Sequence, residues 1–285
     1  MSLSLDRPTA ARLADLDPAL APLARALPAR ATGPGWQLHD ARWTPGAGCR
    51  LAYRVATPAG TTFVAVDVDG GGWSQRDYRA DAGLPGLAPA ADPLAVAEVL
   101  SPLCGGPIRR LHIEPVRYRP GSRCVLRYQV STAAQVTTLY AKALSKEAYD
   151  GVAAVGARLE ATRERAPLVP RLAGTWPERQ VVIAGGVRGR SMSSILGDPA
   201  VSTRRRIGLA RELGHVLARF HEQAAADVPT RSAADHVAAL AGSMVAVRCA
   251  DARLAARLCA AVELLAAGAP APGAAVLCHG AFRAG

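Results

Sequence analysis

The feature that most constrains this chain is an internal duplication. Residues 42–57, RWTPGAGCRLAYRVAT, align without gaps on residues 117–132, RYRPGSRCVLRYQVST, with eight of 16 positions identical. Background composition alone would give roughly one or two. Allowing one inserted residue, Thr61-Thr-Phe-Val-Ala-Val66 then meets Thr137-Thr-Leu-Tyr-Ala-Lys142. Two copies this far apart are too few for a solenoid and read as one supersecondary unit used twice.

Both copies carry the same physics. A Pro-Gly turn (Pro45-Gly46, Pro120-Gly121) leads into strict alternation, with Cys49, Leu51, Tyr53 and Val55, or Cys124, Leu126, Tyr128 and Val130, on one face. Period two with one apolar face is a half-buried strand. A short polar connection and a second apolar run follow, so each copy is a β-hairpin feeding a small antiparallel sheet. Between them, Gly70-Gly71-Gly72 marks a loop, and Asp92-Pro93 starts a helix with Asp as N-cap and Pro in the first position. Where the alignment gives the first copy Val66, it gives the second Lys142, which makes the second copy the chemical one.

Lys142 carries extra weight because of composition. The chain has 285 residues and a net charge of +11, and all its basic residues except Lys142 and Lys146 are arginine. It has no asparagine. This usage suggests a GC-rich, bacterial coding sequence, so the high charge is weak evidence for nucleic acid. A nucleic-acid binder is therefore the last-ranked function, and no aromatic–basic interleaving supports an RNA-binding sheet.

Half of the residues are hydrophobic and a fifth charged, enough for a sizeable core. The most apolar stretch, Leu254 to Ala267, is interrupted by Arg257 and Glu263, and Met1 to Ala10 has no signal-peptide pattern. A cytoplasmic protein with no membrane segment is the expectation. Cys49, Cys104, Cys124, Cys249, Cys259 and Cys278 form no CxxC pair and no Cys–His cluster, so buried thiols are expected rather than disulfides or zinc.

Beyond the second hairpin, the spacing predicts a helix over Lys146 to Arg165, a short buried strand over Arg179 to Ala184 closed by Gly185-Gly186, and a long helix over Thr203 to Gln223. In that long helix Ile207, Ala210, Leu213, Leu217 and Phe220 make one stripe. Helices near Ala234–Val247 and Asp251–Ala267 and a strand over Ala274 to Cys278 complete the plan. A β-rich front, a glycine-punctuated junction and a helical back make a two-lobed α+β chain.

That order resembles the aminoglycoside phosphotransferase and choline-kinase-like group, whose fold is that of the protein kinases. The resemblance covers roughly residues 106–285 and implies three parts. These are a cap with the first hairpin copy over 1–105, a kinase-like β-rich lobe over 106–184, and an incomplete helical lobe over 185–285. It implies ATP and Mg²⁺ as cofactors and a sugar or aminoglycoside-like hydroxyl as acceptor. It puts Gly121 and Ser122 at the phosphate-covering turn, Lys142 on the α/β-phosphates, Glu160 as the helix carboxylate holding that lysine, and Ala184 and Gly185 at the adenine hinge. Leu217-Ala-Arg-Phe-His221 is similar to the helix ending in Leu-x-x-Leu-His, and His279-Gly280 to the start of the catalytic loop.

The departures are equally specific. The family loop reads His-Gly-Asp, and this chain has Ala281 where that aspartate would take the hydroxyl proton. The family's metal-binding asparagine and aspartate would fall past Gly285, so the chain as written is expected to be an inactive phosphotransferase relative with a marginally stable helical half. The alternative is a catalytically dead nucleotide-binding or regulatory module. The residues alone also allow plainer readings. Lys142 is then a surface strand lysine, Gly121 an ordinary hairpin turn, and His221 a structural histidine. Arg204-Arg205-Arg206 is a solvated face, and Glu147 or Asp150 stands as an equal of Glu160.

Overall fold

A computed structural model describes residues 35–44, 46–58, 60–161, 170–187, 189–222, 232–238, 240 and 252–268. The fold is mixed α+β, with two antiparallel sheets. The first contains β1 (Trp36–Thr44), β2 (Gly48–Thr57), β3 (Gly60–Asp69) and β4 (Gly72–Asp77) in simple sequence order. Gly70 and Gly71 are the tight β3–β4 turn. Two helices follow, α1 (Leu87–Ala90) and α2 (Pro93–Leu103). The Asp92 carboxylate accepts from the Leu94 N–H, the N-cap that the sequence predicts.

The second sheet contains β5 (Arg110–Arg119), β6 (Arg123–Ser131), β7 (Val136–Leu144), β8 (Leu172–Trp176) and β9 (Val181–Gly185) in the order β5-β6-β7-β9-β8. Helix α3 (Lys146–Ala161) lies in sequence between β7 and β8. The last strand therefore inserts beside β7, and β8 is left at the edge. The helix expected to reach Arg165 is described to Ala161. The strand expected from Arg179 begins at Val181, because Pro177–Arg179 is a 3₁₀ turn. Beyond β9 the described residues are helical: α4 (Met192–Leu196), α5 (Thr203–His221), residues 233–238, and α6 (Ala252–Ala267). The rest of the predicted 234–247 helix and the 274–278 strand lie outside the described residues. No described helix is long and apolar enough to cross a membrane.

The register corrects the alignment of the two hairpins. Leu51 faces Val66 across β2–β3, while its counterpart Leu126 faces Ala141 across β6–β7. Ala56 pairs with Thr61 and Ser131 with Val136, so the repeat continues without an inserted residue. The first-copy counterpart of Lys142 is thus Asp67, not Val66. Asp67 is ion-paired to Arg50 at 2.8 Å and to Arg76.

The two sheets share one core. Cys124, Leu126, Tyr128, Leu139, Ala141, Val181 and Ile183 point from the second sheet to Ala52, Phe63 and Ala65 of the first, with Leu87, Val96 and Leu100 of α1 and α2 between them. Phe63 links the sheets as an aromatic joint, 5.9 Å from the Tyr118 ring and 6.4 Å from that of Tyr78. The far face of the first sheet holds a second cluster built on Leu51, Tyr53 and Val66. On the far face of the second sheet, α3 packs through Tyr149 onto Leu144 and Val182.

Candidate functional site

Strand alternation sorts the second sheet into two chemistries. One face is the shared core. The other carries Arg117 and Arg119 from β5, Arg123, Val125 and Arg127 from β6, Tyr140 and Lys142 from β7, and Val182 and Ala184 from β9. Pairing puts them in rows. Arg127, Tyr140 and Ala184 form one, and Val125, Lys142 and Val182 the next. Beyond the first row, Gly185 ends β9, Gly186 and Val187 leave the sheet, and the three wall a hollow of about 350 Å³ with Arg127, Thr138 and Tyr140. Lys142, Ala184 and Gly185 are therefore brought to one surface. The Gly185 and Gly186 N–H groups are already given to the carbonyls of Arg171 (2.7 Å) and Thr138 (2.9 Å). Val187 follows them in the chain, and its N–H carries no such bond among the described residues.

Glu160 is placed elsewhere. It accepts the Leu172 N–H at 3.1 Å and lies 3.6 Å from the Arg171 guanidinium, tying the end of α3 to the start of β8. Among the described residues no carboxylate pairs with Lys142. Crowding by the protein, then Arg123 beside it, hold the Lys142 ammonium below the ordinary lysine pKa. Solvent still reaches this side chain, which screens the effect, so its sign matters more than its size. Arg123 is depressed in turn, by burial first and then by Arg119, Arg117 and Arg42, with Asp40 opposing. On the same face Glu114 is taken up by its ion pair with Arg127, so Arg117, Arg119, Arg123 and Lys142 stand together as like charges with Asp40 as their nearest described counter-charge.

The turn at Gly121 is clasped from the core side. Asp81, the one buried charged residue among those described, accepts the Tyr118 hydroxyl at 2.8 Å and the Gly121 N–H at 2.6 Å through one oxygen. Its other oxygen accepts the Gly83 N–H at 2.9 Å. Gly121 sits at φ +66°, in the left-handed region that glycine adopts without strain. A Cβ on Gly83 would come within 2.7 Å of the Gly121 Cα, so the two backbones touch. The Ser122 N–H goes to the Arg119 carbonyl at 3.0 Å. Neither N–H of this turn remains to cradle a phosphate, and sequence reasoning missed Asp81 altogether. Its Asp-Ala-Gly setting signals a local turn, but nothing in the sequence points to a partner 40 residues on.

His221 ends α5, and Phe220 is the one buried residue of that helix. Ile207 and Ala210 of the expected stripe are exposed. His279, Gly280 and Ala281 lie outside the described residues. Among the described residues no three His, Cys, Asp or Glu side chains converge as a metal site. Comparison with known protein families, curated proteins and solved structures gives no match for this chain.

Proposed function

We propose that this chain binds ATP on the outer face of its second sheet, on the part that α3 leaves uncovered, as the nucleotide-binding part of a phosphotransferase acting on a hydroxyl of a sugar or aminoglycoside-like molecule. One observation carries the reading. The sheet order β5-β6-β7-β9-β8, with α3 crossing between the third and fourth strands, puts Lys142 on the strand next to the one that runs out into Gly185-Gly186. A lysine fixed on a strand is a point charge for phosphate oxygens, and the hollow at the glycine exit is a place for the base. In this arrangement Lys142 and Arg123 orient the phosphates. Val187 and the residues after it meet the base, and the sheet face keeps water from one side of the tail. The described residues offer no ligand set for Mg²⁺.

Two observations favour a second reading, a nucleotide-binding module without turnover. Glu160 is engaged with Arg171 and Leu172 rather than Lys142, and Ala281 stands where the resemblance to the phosphotransferases would put the proton acceptor. Calorimetric titration with ATP, with and without Mg²⁺, tests both. The wild type is expected to bind, and Lys142→Ala to weaken binding by about tenfold or more, the scale of one charge-assisted contact. Equal affinity of the two proteins, or no binding by either, would overturn the nucleotide site. Phosphate transfer to a panel of sugar and aminoglycoside acceptors decides the rest: turnover supports the enzyme, and binding without turnover supports the module.

A further inference from the structure

We propose that the anionic tail on this face is held by side chains, Arg117, Arg119 and Arg123 together with Lys142, and that the site takes a linear polyphosphate even without a base attached. The inference rests on the nucleotide reading for its place in function, but its chemistry stands on the geometry of the face.

Backbone recognition is closed off first. The Gly121 N–H points to Asp81 on the core side of the sheet, and the Ser122 N–H is bonded to Arg119. Side chains are what remain. Tyr118 is buried in the shared core, so its neighbours Arg117 and Arg119 project from the opposite face. Cys124 is buried likewise, which turns Arg123 to that same face. Arg119 lies directly across from Arg123, Arg117 from Val125, and Val125 from Lys142. Cross-strand and diagonal neighbours of this kind lie within reach of long side chains.

Four cations therefore stand on three adjacent strands, and the described carboxylates do little to balance them. Asp40 alone approaches, 3.5 Å from Arg119, a long contact in which the Asp40 Oδ2 and the Arg119 Nε are both left without a hydrogen bond. Arg117, Arg123 and Lys142 have no carboxylate partner among the described residues. Clustered, half-desolvated cations are unfavourable until an anion joins them, and the lowered pKa of Arg123 and of Lys142 has the same origin.

The width of the cluster selects the ligand class. It crosses two strand spacings of about 4.8 Å each, more than a single phosphate can bridge. A chain of linked phosphates can meet the arginines bidentately and the lysine at one point.

The test is calorimetry with sodium tripolyphosphate, orthophosphate and ATP at physiological salt. Tripolyphosphate is expected to bind well ahead of orthophosphate. Arg123→Gln should weaken tripolyphosphate and ATP alike by about tenfold or more. Arg117→Gln, at an exposed position, repeats the measurement with less risk to folding. Arg204→Gln, on the exposed first turn of α5, controls for net charge and should change nothing. Failure of tripolyphosphate to bind would overturn the inference, as would affinity that is insensitive to both arginine variants or equally reduced by Arg204→Gln. ATP binding that depends on Lys142 but not on Arg117 or Arg123 would overturn it while leaving the nucleotide site intact. Arginine-dependent tripolyphosphate binding to which adenosine adds nothing would support it and remove the nucleotide reading.

Discussion

Lys142 and Asp67 occupy the same position in two copies of one hairpin, and they have opposite charges and opposite surroundings. Asp67 is neutralised by two arginines. Lys142 has Arg123 for a neighbour and protein crowding around it, so folding disfavours its charged form. The sign of the resulting pH dependence follows. Because the folded-state pKa lies below the ordinary lysine value of 10.5, the penalty is fully present below the lowered pKa and disappears as the pH rises through it towards 10.5. Lys142→Met is therefore expected to raise the melting temperature at pH 7, with the gain shrinking by pH 10. A difference between the two proteins that stays constant over that range would show that Lys142 is as well solvated in the fold as in the unfolded chain. Asp81 is the other residue whose role is out of proportion to its size, since one carboxylate settles three donors from two parts of the chain.

Among the elements, the alternating strands β2 and β6, the strands that follow them, the Asp92-capped helix and the long α5 are legible in the sequence, because each repeats its period over several residues. Strands β1 and β5 are not. Each carries an irregularity in register, between Leu38 and Asp40 and between Pro115 and Arg117, that breaks period two. Their open faces also present histidine, aspartate and arginine in place of a clean apolar stripe. β4 has Trp73 as its one large apolar residue, and β8 is five residues with its own slip between Leu172 and Gly174. The one-residue misalignment of the hairpins has a simple cause. Thr-Thr occurs at 61–62 and again at 137–138, and matching the doublets hides a register that only the ladder reveals.

The corrected register carries a consequence for the candidate site. At Thr138 and Tyr140 the outer face of the second copy is only half-buried, whereas in the first copy Phe63 and Ala65 stand at those positions and are fully buried. Ala65→Tyr should then be severely destabilising, since overpacking a close-packed site typically costs about 1–3 kcal/mol. Tyr140→Ala, on the open face, should cost clearly less. Chemical denaturation of both variants checks this, and equal losses would mean that the two faces are not distinguished by packing.

At the scale of the whole molecule, burial among the described residues is concentrated in the front. No residue of the three buried clusters lies beyond Ile183, and past it Phe220 is the one core side chain among the described residues. On α5 and α6, Ile207, Leu264 and Leu265 are at least half exposed. The chain cut after Val187 is accordingly expected to melt cooperatively within a few degrees of the full-length protein, followed by circular dichroism. A broad, non-cooperative melt would show that the helical half supplies part of the front core. Cys124 offers a second probe of the same transition. It is buried, and burial pushes its thiol well above the usual range, so reaction with a thiol reagent should wait on unfolding.

The clasp at Gly121 also bears on the order in which the chain assembles. Asp81 precedes the turn it binds by 40 residues, so on the ribosome the acceptor is made first and the turn arrives later. The β5–β6 hairpin can close locally as soon as it emerges, but its tip finds a carboxylate only where β4 and the segment after it are already in place. The segment that follows the first sheet thus supplies the acceptor that holds the tip of the later hairpin.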